Sequence, residues 1–195
     1  MTNTYDLTDL LKGAAERAEP VVRGVKESDL GSATPCSEYD VRDLLNHSLH
    51  VVISFQALAA KGTADFSTTP DYLLEDGWRE RFGRETGLLV TAWSQPGALE
   101  GTSQGMGLPQ RTVGEMVLGD LTLHAWDLAR ATGQDFVPYE PSLPVLREGL
   151  AALAPTGRKM NVFAEPVPVG ADAPDFDKLL ALTGRDPAWR APVAQ

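Results

Sequence analysis

The chain predicts an all-α fold, a four-helix bundle, on two observations. Four segments space their apolar residues at helical intervals, and strand-like alternation is confined to one short run late in the chain. In the first segment Leu7, Leu10, Leu11, Ala14, Ala18, Val21, Val22 and Val25 recur at that spacing. Pro20 is expected to kink or split it, because proline removes a backbone donor and its ring crowds the preceding turn. The second segment, "VRDLLNHSLHVVISFQALAAKG", follows Asp40, a good N-cap, and stops at Gly62. The third runs from about Asp71 to Trp93, with Leu73, Leu74, Trp78, Phe82, Leu88 and Leu89 as its apolar set and three interrupting glycines. The fourth spans Val113 to Thr132 and ends at Gly133.

The connection "QPGALEGTSQGMGLPQ" is long for a bundle and rich in Gly and Pro, so it reads as a crossover or a site-lining loop. Beyond Gly133 come a shorter helix, about Ser142 to Ala154, and a Pro/Gly-rich extended stretch. A last helical turn or two, "DFDKLLALTG", precedes a tail expected to fray. The chain therefore divides into a bundle at about 5–133 and a C-terminal extension at about 134–195, read together as a single domain.

Composition narrows the function. Of 195 residues, 43% are hydrophobic and 23% charged, the balance of an ordinary globular protein. A formal net charge of -10 with no basic run argues against nucleic acid and anionic membrane surfaces as partners. A single cysteine, Cys36, excludes an intramolecular disulfide and a cysteine-based zinc cluster; it reads as a buried, inert thiol. The N-terminus lacks the pattern of a signal peptide and no apolar run is long enough to span a bilayer, so a cytoplasmic location is expected.

The fourth helix holds the chemistry. On a wheel with Met116 at zero, Leu121 falls near 140°, Leu128 near 120° and Ala131 near 60°. Asp120 at about 40° and His124 at about 80° lie inside that apolar arc. Four residues apart, they can converge on one point. A bare carboxylate facing a core costs several kcal/mol, about 2–7 for even a neutral polar group. The cost is relieved by a hydrogen-bonded pairing, by a wet cavity, or by a shared metal ion. On the second helix His47 flanks the stripe Leu44, Ser48, Val51 and Phe55, whereas His50 points away and reads as a solvated surface residue. His47, Asp120 and His124 would make three ligands on two helices, suited to zinc or nickel, with a coordination position left open as in catalytic sites. Asp127, near 20° on the wheel, is a candidate fourth ligand or, behind the ligands, an acceptor that holds an imidazole N–H. A salt bridge from Asp127 to Arg130 or to another helix is preferred over both. Trp126 falls on the far side, against another helix or a loop. No Gly-x-Ser-x-Gly, phosphate loop or His-Glu-x-x-His is present, and "GTSQGMG" follows no strand.

Together, "TPCSEYDVRDLLNH", "LGDLTLHAWDLARATG" and "PVPVGADAPDFDKLLALTGRDPAW" resemble the actinobacterial metal-binding proteins related to the N-terminal domain of mycothiol-dependent maleylpyruvate isomerase, within the DinB/YfiT-like superfamily. The resemblance implies a DinB-like four-helix bundle with zinc or nickel held by His47, Asp120 and His124. It also implies a low-molecular-weight thiol such as mycothiol as cosubstrate, reacting with a small electrophile in a transferase or isomerase. Two departures stand out. The isomerase has Glu where this chain has Asp120, one methylene shorter, which brings the ion closer to the fourth helix or bridges it by water. The isomerase also has a further C-terminal domain. Two readings remain beside this one, a non-catalytic metal- or ligand-binding stress-response module and a metal-dependent hydrolase. A homodimer is left open.

Overall fold

The computed structural model describes residues 6–192, and among them every regular element is helical. Six α-helices follow in order: α1 (Leu7–Gly24), α2 (Val41–Ala59), α3 (Trp78–Trp93), α4 (Gln110–Thr132), α5 (Leu143–Lys159) and α6 (Asp175–Leu182). The first four form the DinB-like bundle. Helices α1 and α2 each pack against both α3 and α4, so each consecutive pair, α1 with α2 and α3 with α4, occupies opposite corners. The 94–109 connection is therefore a crossover, and it supplies none of the side chains of the centre described below. Its end is tied down by Gln110, whose amide donates to the Leu58 carbonyl at 2.9 Å. Helix α5 lies on α4 and α6 lies on α5, and Leu146, Leu150, Leu179 and Leu180 join the same apolar core as the bundle.

The start of α2 is set sharply. Asp40 accepts from the Asp43 amide at 2.8 Å and Asp43 accepts back from the Asp40 amide, a reciprocal cap that fixes the helix phase and with it the direction of His47. Helix α4 ends at Gly133 as expected and begins at Gln110, three residues before Val113. Helix α5 continues to Lys159, past the expected end at Ala154.

Several expectations are overturned. Pro20 does not split α1, which runs unbroken to Gly24. The ring sits on the exposed side close to the C-terminal end, and burial of Ala18, Val21 and Val22 around it outweighs one lost hydrogen bond. Helix α3 starts at Trp78 instead of near Asp71. Gly77 has φ 77°, a left-handed conformation incompatible with a continuous helix. Asp71 caps a separate 3-10 turn, Tyr72–Leu74. Leu74 and Leu88, expected in the core, are 77% and 53% exposed. The tail does not fray as far as it is described: Trp189 is half-buried and its carbonyl accepts from Arg130 at 2.8 Å. Residues 193–195 lie outside the described range.

Candidate metal centre

Helices α2 and α4 face one another, and their polar residues meet between them. His47, Asp120 and His124 each offer a ligand atom, and the three atoms lie within 4.8 Å of one another. The His47 and His124 rings are edge to face with centroids 5.0 Å apart. His124 is 9% exposed, whereas the Asp120 side chain is 33% exposed and marks the open side of the group. On the opposite, inner side a cavity of about 10 Å³ lies against Asp120 and His124, bounded by Val22, Ser48, Val52, Phe82 and Leu128. It has room for one water-sized molecule at most.

The trio is only loosely tied together: His124 Nε2 and Asp120 Oδ1 stand 3.6 Å apart, an ion-pair distance longer than a good hydrogen bond, and among the described residues no hydrogen bond reaches the His47 ring. Two ligands on a tetrahedral ion with bonds of about 2.0–2.2 Å sit about 3.4 Å apart, close to the imidazole–carboxylate separation found here. Two imidazole nitrogens and one carboxylate are also the donor types zinc and nickel accept. The residues present fit a divalent ion.

The other ring nitrogen of His124 is occupied. Nδ1 lies 3.0 Å from Asp127 Oδ2. Asp127 is fully buried and its carboxylate is gripped by Arg185, with Nε at 2.9 Å from Oδ1 and Nη2 at 2.8 Å from Oδ2. A carboxylate held by a guanidinium only accepts, so His124 Nδ1 carries a hydrogen and Nε2 is the ring nitrogen directed at Asp120 and His47; Arg185 Nη2 also stands 3.5 Å from Nδ1. Asp127 thus makes both contacts that the sequence leaves open, an imidazole acceptor and a salt bridge. Its cation is Arg185, 58 residues away, and not Arg130, which reaches the Trp189 carbonyl and stands over the Trp126 ring. Trp126 is buried, as expected for the far side of α4.

Burial and neighbouring charge separate the two histidines. Burial, reinforced by His124, pulls the His47 pKa down to about 4. Burial pulls His124 the same way, but the Asp120 and Asp127 carboxylates outweigh it and hold its pKa above the ordinary value. Burial pushes the Asp127 carboxyl up, and Arg185 and His124 together bring it below the usual range.

Two residues of the surroundings went unmarked by the sequence pattern. Tyr39 stacks on His47 with ring centroids 5.2 Å apart, and burial, then Cys36, Asp43 and Asp120, raise its hydroxyl pKa, so it remains a donor at neutral pH. Nothing in the spacing of "CSEYD" signals that stack. Arg185 lies in "TGRDPAW", a stretch that carries the family likeness without disclosing a role. Cys36 is half-buried, and burial pushes its thiol pKa up, which keeps it protonated and unreactive. His50 departs from expectation. It is half-buried instead of solvated, and its ring nitrogens bond the Tyr72 hydroxyl at 3.0 Å and the Asp65 carbonyl at 2.8 Å. It pins the segment between α2 and α3 and takes no part in the centre.

Residues 11–129, which include His47, Asp120, His124 and Asp127, match the family described as the mycothiol maleylpyruvate isomerase N-terminal domain. Over 174 residues the chain is 30% identical to an uncharacterized protein of Mycobacterium tuberculosis found in two strains, the match covering 85% of this chain and 90% of that protein. No solved structure matches the chain. No described helix is long and apolar enough to cross a membrane. With the match extending over more than half of its length, the chain belongs to the family of the mycothiol maleylpyruvate isomerase N-terminal domain.

Proposed function

We propose that this protein is a divalent-metal-dependent enzyme that activates a low-molecular-weight thiol of the mycothiol type for transfer to, or isomerisation of, a small electrophile. His47, Asp120 and His124 hold zinc or nickel. The observation that carries the reading is the convergence of their three ligand atoms within 4.8 Å of one another. The thiol rests on the family to which the chain belongs. When bound, a divalent ion there lowers the pKa of a thiol brought to its open position.

The chain's own residues do the rest. Asp127 accepts the Nδ1 hydrogen of His124 and so aims Nε2 into the site. Tyr39 stacks on His47, fixing that ring and closing one flank. The mostly apolar interior behind the ligands leaves room for no more than one water-sized molecule, and the partly exposed Asp120 marks the open side. Three protein ligands leave a position for substrate, which favours an enzyme over a closed structural site.

The test begins with the full chain purified without a nickel column, stripped of metal and incubated with zinc or nickel. About one ion per chain is expected, and less than about a tenth of an equivalent would sink the metal reading. Thiol transfer from mycothiol to a model electrophile then separates enzyme from binding module. His124→Ala is expected to lose both ion and activity, and a rate unchanged in that variant would reject the catalytic role.

A further inference from the structure

The structure assigns Arg185, in the segment after α6, as a positioning residue of the centre: it holds Asp127 so that His124 presents Nε2. This rests on the metal reading above and adds a residue that lies beyond the matched domain, which ends at 129.

The local sequence delivers Arg185 to one place. Helix α6 ends at Leu182, Gly184 takes φ 83°, the Gly184 amide donates to the Ala181 carbonyl at 3.1 Å, and the Arg185 amide donates to the Leu180 carbonyl at 2.9 Å. That pair of bonds is the Schellman closure, which turns the chain sharply and points Arg185 back at α4. Its side chain is 8% exposed and every nitrogen is used. Nε and Nη2 take the two oxygens of Asp127, and Nη1 donates to the Thr183 hydroxyl at 3.2 Å. The side-on grip fixes the plane of the carboxylate and leaves Oδ2 directed at His124 Nδ1, 3.0 Å away. Without it the carboxylate is free to turn about its own bond and the imidazole loses its orientation. A C-terminal extension that looks like packing on the outside of a bundle therefore reaches the ligand shell through one ion pair.

The experiment is a double-mutant cycle on zinc affinity of the full chain, read by competition with a chromophoric chelator. Arg185→Met is expected to weaken zinc binding about tenfold and Asp127→Asn about 10- to 100-fold. Arg185 Nη2 also approaches His124 Nδ1, at the outer limit of 3.5 Å; because the shorter bonds to Asp127 carry the effect, the double variant, which leaves no unpaired charge, is expected to bind no more weakly than Asp127→Asn. Binding by Arg185→Met within about twofold of wild type, or losses that multiply in the double variant, would overturn the assignment. Should Arg185→Met not fold, Arg185→Lys keeps the charge but cannot span both oxygens, and the same weakening is expected of it. Nitrogen-15 NMR of the metal-free chain, at a pH where His124 is neutral, supplies a second readout. The wild type is expected to show one tautomer with hydrogen on Nδ1, and Arg185→Lys a mixture; a single unchanged tautomer in Arg185→Lys overturns the assignment. A wild-type chain that binds no zinc would fail the metal reading, and the tautomer comparison would still decide the role of Arg185.

Discussion

His47 and His124 share a helix interface, yet their surroundings drive them in opposite directions. His47 loses solvation without gaining a carboxylate bond, whereas His124 sits between two carboxylates. The consequence for stability differs in sign. Unfolded, His47 titrates near 6.5, and folded near 4. Between those values the unfolded chain binds the extra proton, so His47 makes the metal-free protein less stable as pH falls through that window, by about 3 kcal/mol at its foot. His124, raised when folded, contributes stability that is complete below its unfolded value and lost only as pH rises through its folded one. The windows therefore do not overlap. Urea unfolding of the metal-free chain at pH about 6.5 and about 4.5 is expected to differ by about 2–3 kcal/mol more in wild type than in His47→Gln. Equal pH dependence in the two proteins would show that His47 is not buried neutral.

At the scale of elements, a few backbone closures decide where side chains end up. Gly184 is the critical one, because its left-handed conformation ends α6 and a Cβ there would lie 2.9 Å from the backbone of Ala164. Gly184→Ala combines left-handed strain with a backbone clash, a cost of about 2 kcal/mol or more. A thermal melt is expected to show that loss, together with zinc affinity weakened as in the Arg185 variants. The same scale explains what could be read from sequence. Helix phases are local, so the apolar stripes of α2 and α4 suffice to predict that His47, Asp120 and His124 face one another. The start of α3 escapes the pattern because Leu73 and Leu74 continue the helical spacing, while Asn46 accepts from the Tyr72 amide at 2.8 Å and draws that segment onto α2 instead. Arg185 could not be placed at all. Its partner is 58 residues away, and no periodicity reports a pairing across that distance.

For the whole molecule, α4 is the shared strut, with α1 and α2 on one side and α5 on the other. It carries Asp120, His124 and Asp127 in two turns, so the bundle and the C-terminal extension meet at the candidate centre. Asp127 and Arg185 are both buried, and breaking such a pair by removing one partner costs about 3–5 kcal/mol. The extension and the bundle are therefore expected to open together, as one cooperative unit. A ligand that binds only the folded state adds stability to every part that must be folded for binding, about 2.7 kcal/mol at a hundredfold excess over Kd. If α6 reaches the ligand shell through Arg185 and Asp127, its amides must share that gain although α6 holds no ligand. Hydrogen exchange is the measurement that checks it. Zinc or nickel is expected to slow exchange of the amides at 179–182 by the same factor, up to about a hundredfold, as the slowest amides of α4. Protection confined to α2 and α4, with α6 exchanging at its metal-free rate, would separate the extension from the centre and return it to the role of outer packing.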